Sequence, residues 1–233
     1  MPLIQFITSD KVVADNFSVE PIKKVIPDWY KNIPRIIDGE DIDTLIENDA
    51  TSNRSIKACV PVLDYLTSGY VIKTVSHTKF KNENGEDFCG IKYVTSDNSS
   101  ISTHSHKQCP VHIEGEKKTY IKFNSPWVIK TPPGYSCYFY QPFFHMENRF
   151  TLMPGIVDTD TYHKPINFPG WIVGKDEVEV EPGVPLIALF PFKREEWKSE
   201  VIIDKDEFVK PTLFDKFLNE AYKRFYWKPK SYR

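Results

Sequence analysis

Two short segments hold the side chains of this chain that are best suited to chemistry. The first is Gly155-Ile156-Val157-Asp158-Thr159-Asp160-Thr161-Tyr162. Side chains of an extended segment repeat every two residues, so Asp158 and Asp160 share a direction. Two carboxylates placed in this way suit activation of water or the holding of a divalent cation. They suit equally the capping of turns through backbone N–H groups. Tyr162 adds an aromatic ring to the same corner, which makes Asp158, Asp160 and Tyr162 the candidate catalytic set. The second segment carries His104, His106, Cys109 and His112, four metal-competent side chains within nine positions. His-x-His on a strand turns both imidazoles to one side, and such ligands suit Zn²⁺ or Fe²⁺. Asp97-Asn98-Ser99-Ser100 come just before, so polar loop histidines are the plainer reading. No cofactor is expected, with a divalent metal at these histidines as the alternative.

A third feature shapes the surroundings. Thr131-Pro132-Pro133-Gly134 separates two aromatic-rich runs. Proline presets φ and glycine permits positive φ, which makes a tight corner. Trp127 and Tyr135 flank it and can pack across the strand pair. The corner reads first as structure. The alternative is an aromatic-walled ligand pocket of Trp127, Tyr135 and Tyr162. No nucleophile–base pair, P-loop or dinucleotide fingerprint occurs.

These residues need a scaffold, and composition points to sheet. Aromatic residues make up 14% of the chain, and they fit pleated, half-buried surfaces. The formal charge of −2 gives no field that would draw the chain to nucleic acid, so general nucleic-acid binding is not expected. The cysteines Cys59, Cys89, Cys109 and Cys137 form no CxxC pair, and buried free thiols are the default in a reducing compartment. The N-terminus lacks a basic region followed by an apolar run, and no apolar window is long enough to span a membrane. The expectation is a soluble protein of the cytoplasm.

The expected fold is mainly β: a single sandwich or barrel, jelly-roll or β-clip-like, with short N-terminal helices and a C-terminal amphipathic helix. Strands are predicted over Leu3–Thr8, Tyr70–Phe80, Phe88–Thr95, Thr119–Phe123, Trp127–Lys130, Tyr135–Tyr140, Ile166–Trp171, Glu177–Val180 and Leu186–Phe192. Asn84-Gly85 signals a hairpin turn. A helical turn is predicted at Pro27–Lys31 and a short helix around Ile42–Ile46. Ile56–Leu66 is predicted as a helix interrupted by Pro61 and closed by Gly69. Leu213, Phe214, Phe217, Leu218, Ala221, Tyr222 and Phe225 recur at helical spacing. One domain over 1–233 is predicted, with an N-terminal extension (1–69), a β core (70–192) and a terminal helix (211–227). That aromatic helix docks on the sheet or on another subunit, so a protein partner or homo-oligomer is expected.

Three resemblances add to this. Ile56-Lys57-x-Cys59-x-Pro61-x-Leu63-Asp64, the run Pro126–Ser136, Gly155–Asp160 and Pro191-Phe192-Lys193-Arg194-Glu195-x-Trp197 resemble an uncharacterised family of tailed bacteriophages, notably cyanophages, and of some bacteria. The resemblance covers most of residues 1–200 and implies a phage protein of the host cytoplasm or virion, without implying a reaction. Residues 155–190 resemble the late strands of the dUTPase and dCTP deaminase superfamily. There, the aspartate matching Asp158 orients the attacking water and the tyrosine matching Tyr162 packs on deoxyribose. Thr161 is inserted here, Lys164-Pro165 replaces a glycine, the Arg-Ser phosphate site is missing (Asn148-Arg149-Phe150 stands nearby), and the glycine-rich arm is absent. His104-x-His106 is similar to the start of a cupin metal site, but Glu114 lies too far and His145 is only loosely placed. Three functions follow: a non-catalytic binding or assembly protein, which is the leading expectation; a dUTPase-like nucleotide-binding or hydrolysing protein; and a cupin-like metal enzyme.

Overall fold

Alternating burial along the strands becomes antiparallel pairing in a computed structural model that describes residues 1–37, 54–83, 86–92, 101–108, 119–173, 177–208 and 222–230. The chain divides into two compact units, Met1–Val25 with Gly69–Arg194, and Ile26–Ser68 with Glu195–Arg233.

The first unit is built of antiparallel sheet. Strands β3 (Tyr70–Lys73), β9 (Tyr135–Tyr140), β11 (Gly155–Val157) and β14 (Pro185–Lys193) join β2 (Glu20–Pro21) in a five-stranded sheet of order β11-β9-β14-β3-β2. A four-stranded sheet runs β10 (Phe150–Leu152), β12 (Phe168–Ile172), β7 (Thr119–Phe123), β6 (Ile101–Ser105). A third sheet orders β13 (Val178–Val180), β4 (His77–Glu83) and β5 (Glu86–Lys92), and β1 (Gln5–Ile7) pairs with β8 (Val128–Lys130). Among the described residues no sheet closes on itself, so the mainly β architecture is sandwich-like.

Side chains turned inward tie these sheets together. Phe139 of β9 meets Phe168 of β12 at 5.7 Å between ring centroids, which joins the five- and four-stranded sheets. Phe80 of β4, Phe123 of β7 and Phe150 of β10 make a row at 6.1 and 5.3 Å that joins the third sheet to the second. Ile72, Ile121, Ile129, Ile187 and Leu189 are fully enclosed between them. Such interdigitated apolar area is the main favourable term holding a sheet stack together.

Several elements differ from their predicted extents. The run Tyr70–Phe80 is two strands, because the chain turns at Thr74. Its N–H donates to Val184 O at 2.9 Å, and its hydroxyl donates to Glu181 O at 2.6 Å. Thr74, Val75, Ser76 and Thr78 are all buried, so no exposed polar turn marks the break. A helix, α1 (Lys11–Asn16), stands between β1 and β2 where no element is predicted; Asp10 caps it, accepting from the N–H groups of Val12 and Val13. Residues 1–25 therefore supply β1, α1 and β2 to the sheet unit. Asn84-Gly85 lies outside the described residues, while Glu83 pairs with Glu86 across it.

In the second unit, α2 (Asp28–Asn32) covers the predicted turn. Pro61 lies in the first turn of α3 (Val60–Thr67) and begins that helix instead of interrupting it. Gly69 follows it with φ +88°. Asp64 of α3 accepts from Trp227 Nε1 at 3.0 Å and from Lys230 Nζ at 2.6 Å, which pins the end of the chain. The predicted helix 42–46 and residues 209–221 of the terminal helix lie outside the described residues. A helical turn begins at Lys205 with Asp204 as its cap, and Tyr222–Tyr226 is a π-helical turn. No helix among the described residues is long and apolar enough to cross a membrane.

Candidate functional site

The Pro-Pro-Gly corner and the Asp-Thr-Asp segment, far apart in sequence, meet at one arginine. Strand β9 begins after a turn closed by Tyr135 N–H donating to Pro132 O at 3.2 Å, with Gly134 at φ +84°. Strand β11 pairs with β9 through Ile156 opposite Tyr138 and Val157 opposite Cys137, which brings Asp158 beside Ser136. On the other side of β9, Phe192 of β14 lies opposite Ser136. Two residues on, Arg194 lies on the same face and reaches across.

The Arg194 guanidinium donates to Asp158 Oδ1 at 3.1 Å, Asp160 Oδ1 at 3.0 Å, Ser136 Oγ at 2.8 Å and Tyr135 O at 3.1 Å, and a second nitrogen pairs with Asp160 Oδ2. Ser136 Oγ donates to Asp158 Oδ1 at 2.6 Å, and Gly134 N–H donates to Asp160 Oδ2 at 2.8 Å. Backbone Arg194 N–H donates to Gly134 O at 2.8 Å. Thr159, between the two acids, points inward and is fully buried; its hydroxyl lies 2.7 Å from that of Thr131 and 3.4 Å from Cys137 Sγ. The two carboxylates therefore meet one protein cation, and they do so from the turn after β11 and not from the extended segment that their spacing predicts.

The electrostatics follow from this. The Arg194 guanidinium, helped by the Gly134 N–H, holds the Asp160 carboxyl down to about 2. A carboxylate so acidic is a poor proton acceptor near neutral pH. Asp160 is 5% exposed and Asp158 61% exposed, so only Asp158 presents its carboxylate to solvent. Burial pushes the Cys137 thiol up to about 11, which keeps it protonated and inert.

The other candidates are placed as follows. Tyr162 is exposed, and its N–H donates to Asp158 O at 2.8 Å. Trp127 is buried, and its indole N–H has no partner among the described residues. Tyr135 is half-buried at the start of β9. A cavity of about 10 Å³ lies between Thr74, Ser76 and Ser125, room for about one water molecule; neither Trp127, Tyr135 nor Tyr162 lines it. His104, on β6, has Nδ1 2.7 Å from Gln108 Oε1. His106 opens the turn His106–Gln108, while Cys109 and His112 lie outside the described residues. No cluster of three metal-competent side chains occurs among the described residues. His145 sits in a separate turn, Phe143–His145, with Nε2 buried and burial holding its pKa down. Arg149 is committed to protein carboxylates, pairing with Glu147 at 2.8 Å and Glu181 at 2.9 Å.

The comparisons with known proteins are sparse. No family model and no curated protein matches the chain. Among solved structures it is similar to one titled EIAV dUTPase, native, at 13% identity and a TM-score of 0.33, over 58% of this chain and 87% of that one. A likeness that low supports neither a fold assignment nor an activity.

Sequence reasoning found the acids and missed Arg194 and Ser136. The available signal was parity: Ala188, Phe190, Phe192 and Arg194 share one face of β14, and Ser136, Tyr138 and Tyr140 share the matching face of β9. The arrangement predicts an acid-sensitive clasp. Asp160 has a folded pKa below its unfolded value of about 3.9, so its contribution is fully present above pH ~4 and is lost as pH falls toward about 2. Asp160→Asn is expected to flatten that part of the stability curve in urea titrations at stepped pH. An unchanged acid slope would show that the clasp contributes nothing.

Proposed function

We propose that the chain is a phage-type, non-catalytic binding or assembly protein, a virion or host-interaction component, whose function is contact with protein. One observation carries this reading. After Arg194 the backbone runs to Asp204 without regular secondary structure, exposing Trp197 by 88%, Val201 by 93%, Ile202 by 72% and Ile203 by 100%. No hydrogen bond, ion pair or ring contact engages these four side chains among the described residues. Single exposed apolar residues are ordinary, but a contiguous run marks a contact surface. Each such side chain gains about 1.5–3 kcal/mol when buried. The commitment of Asp160 and Arg194 to each other supports the non-catalytic part.

A second reading has one observation in its favour: Asp158 and Tyr162 both face solvent on one turn, as a dUTPase-like nucleotide site would require. Thermal shift with deoxynucleotides and Mg²⁺ separates the two, since that site must raise Tm and the assembly reading expects no change.

For the assembly reading, the test is the double substitution Val201→Asp, Ile203→Asp. Residues this exposed contribute within about 0.5 kcal/mol to folding, so the urea midpoint is expected to stay in place. The assembly formed by the unaltered chain, with itself or with a co-expressed virion protein, is expected to be lost in mass photometry. Assembly that survives the substitution removes the reading.

A further inference from the structure

We propose that the exposed run Val201–Ile203 is an exchange strand whose partner is a second copy of this chain, added to the β11 edge of that copy's five-stranded sheet. This deepens the assembly reading and rests on it. Three consecutive β-branched residues alternate sides when extended, so Ile202 faces one way and Val201 and Ile203 the other. Apolar residues on both sides describe a strand that is covered on both faces once paired, not a surface ribbon.

The five-stranded sheet offers an edge fit to receive it. Of the two edge strands of the five-stranded sheet, β2 is two residues long and ends in Pro21, which lacks a donor and discourages pairing. Strand β11 is the other edge, exposed along Gly155 and Ile156, with Ile156 exposed by 63%. No atom lies within 4 Å of the place a side chain on Gly155 would occupy, so a neighbouring backbone can approach. Beside Ile156, Tyr138 of β9 is 40% exposed, and the two widen the apolar landing.

Charge selects the same edge. Between Glu195 and Glu207 the run carries six acidic residues against two lysines. The turn after β11 is bordered by Lys130, next to Thr131 that bonds Thr159, and by Lys164, next to Pro165 that bridges Val128. Neither lysine is in an ion pair among the described residues. An acidic strand is thus drawn to lysines on an edge whose own acids are engaged by Arg194. Six residues separate the Arg194 anchor from Val201, a reach of about 25 Å when extended, enough to cross to a neighbouring molecule. Repeated reciprocally, the exchange closes a dimer or a small ring.

The experiment uses the full chain. An Ile202→Cys preparation and an Ile156→Cys preparation, with different tags, are mixed and oxidised, with the unaltered chain as the background from native thiols. A mixed disulfide linking both tags is expected, together with loss of self-association in Ile156→Lys and in Ile202→Glu while both keep the wild-type urea midpoint. A wild-type assembly that forms no mixed disulfide and tolerates Ile156→Lys overturns the exchange but leaves the assembly reading standing. A monomeric wild type that binds a foreign protein through Val201–Ile203 also overturns the exchange and leaves that reading. If neither Ile202→Glu nor the double substitution Val201→Asp, Ile203→Asp alters any assembly, both ideas fall together.

Discussion

Phe150→Ala is expected to lower the unfolding free energy by about 3–5 kcal/mol, a large share of what a domain of this size holds. Phe150 is completely enclosed, and its ring lies 5.3 Å from Phe123, which in turn lies 6.1 Å from Phe80. Removing it takes away the ring that backs Phe123, whose own contact with Phe80 joins two sheets, and leaves a void that the stiff strands on either side cannot close. The aromatic contact adds about 0.5–1.5 kcal/mol to the transfer term. In urea titrations the midpoint should drop with the slope unchanged, because the surface exposed on unfolding hardly alters. Phe150→Leu keeps most of the volume and is expected to lose less than half as much. An alanine variant within 1 kcal/mol of the unaltered protein would show that Phe150 does not hold the row of rings in place.

The elements that were legible were those rich in aromatic and β-branched residues and bounded by turn residues. At Tyr135–Tyr140 and Thr119–Phe123 the predicted and observed strands coincide. Tyr70–Phe80 misled because Thr74 is a buried polar residue whose partners, Glu181 and Val184, lie more than a hundred residues away. No local pattern distinguishes a threonine bonded to a distant carbonyl from one facing solvent. Strands β10 and β11 are three residues long, shorter than a period-two signal needs. Helix α1 contributes one buried residue, Val13, so its apolar stripe is nearly absent and only the Asp10 cap announces it.

The candidate site divides along the same line. Asp158 and Asp160 are close in sequence, and both stand in the turn that follows β11. Arg194 is separated from Asp160 by 34 positions, and only the register of β14 against β9 brings it there. A pair of acids can be read from sequence, whereas the cation that occupies them depends on tertiary pairing. That dependence decides between a site open to an ion and a corner already tied.

Gly69→Ala is expected to cost still more than the aromatic truncation, and two other glycines supply the control. Gly69 has φ +88° and Gly134 has φ +84°, a region that costs an L side chain about 1–2 kcal/mol. At Gly134 nothing lies within 4 Å of an added methyl, so Gly134→Ala should cost only that backbone term. At Gly69 the methyl would stand 2.3 Å from Leu189 O and 3.3 Å from Leu189 C. The obstacle is backbone of β14 where it pairs with Tyr70 of β3, so no rotamer change relieves it. The clash is relieved only by parting β3 from β14 at the centre of the five-stranded sheet, where Leu189 is fully buried. The loss therefore belongs among the exceptional values above about 4 kcal/mol. Gly170 has the same relation without the φ term, since its methyl would stand 2.1 Å from Thr151 O. Thermal melts of the three alanine variants should rank Gly134 far ahead of Gly170 and Gly69. If Gly69→Ala melted alongside Gly134→Ala, the close approach of β14 to the start of β3 would be wrong, and the register that brings Arg194 to the two aspartates would be wrong with it.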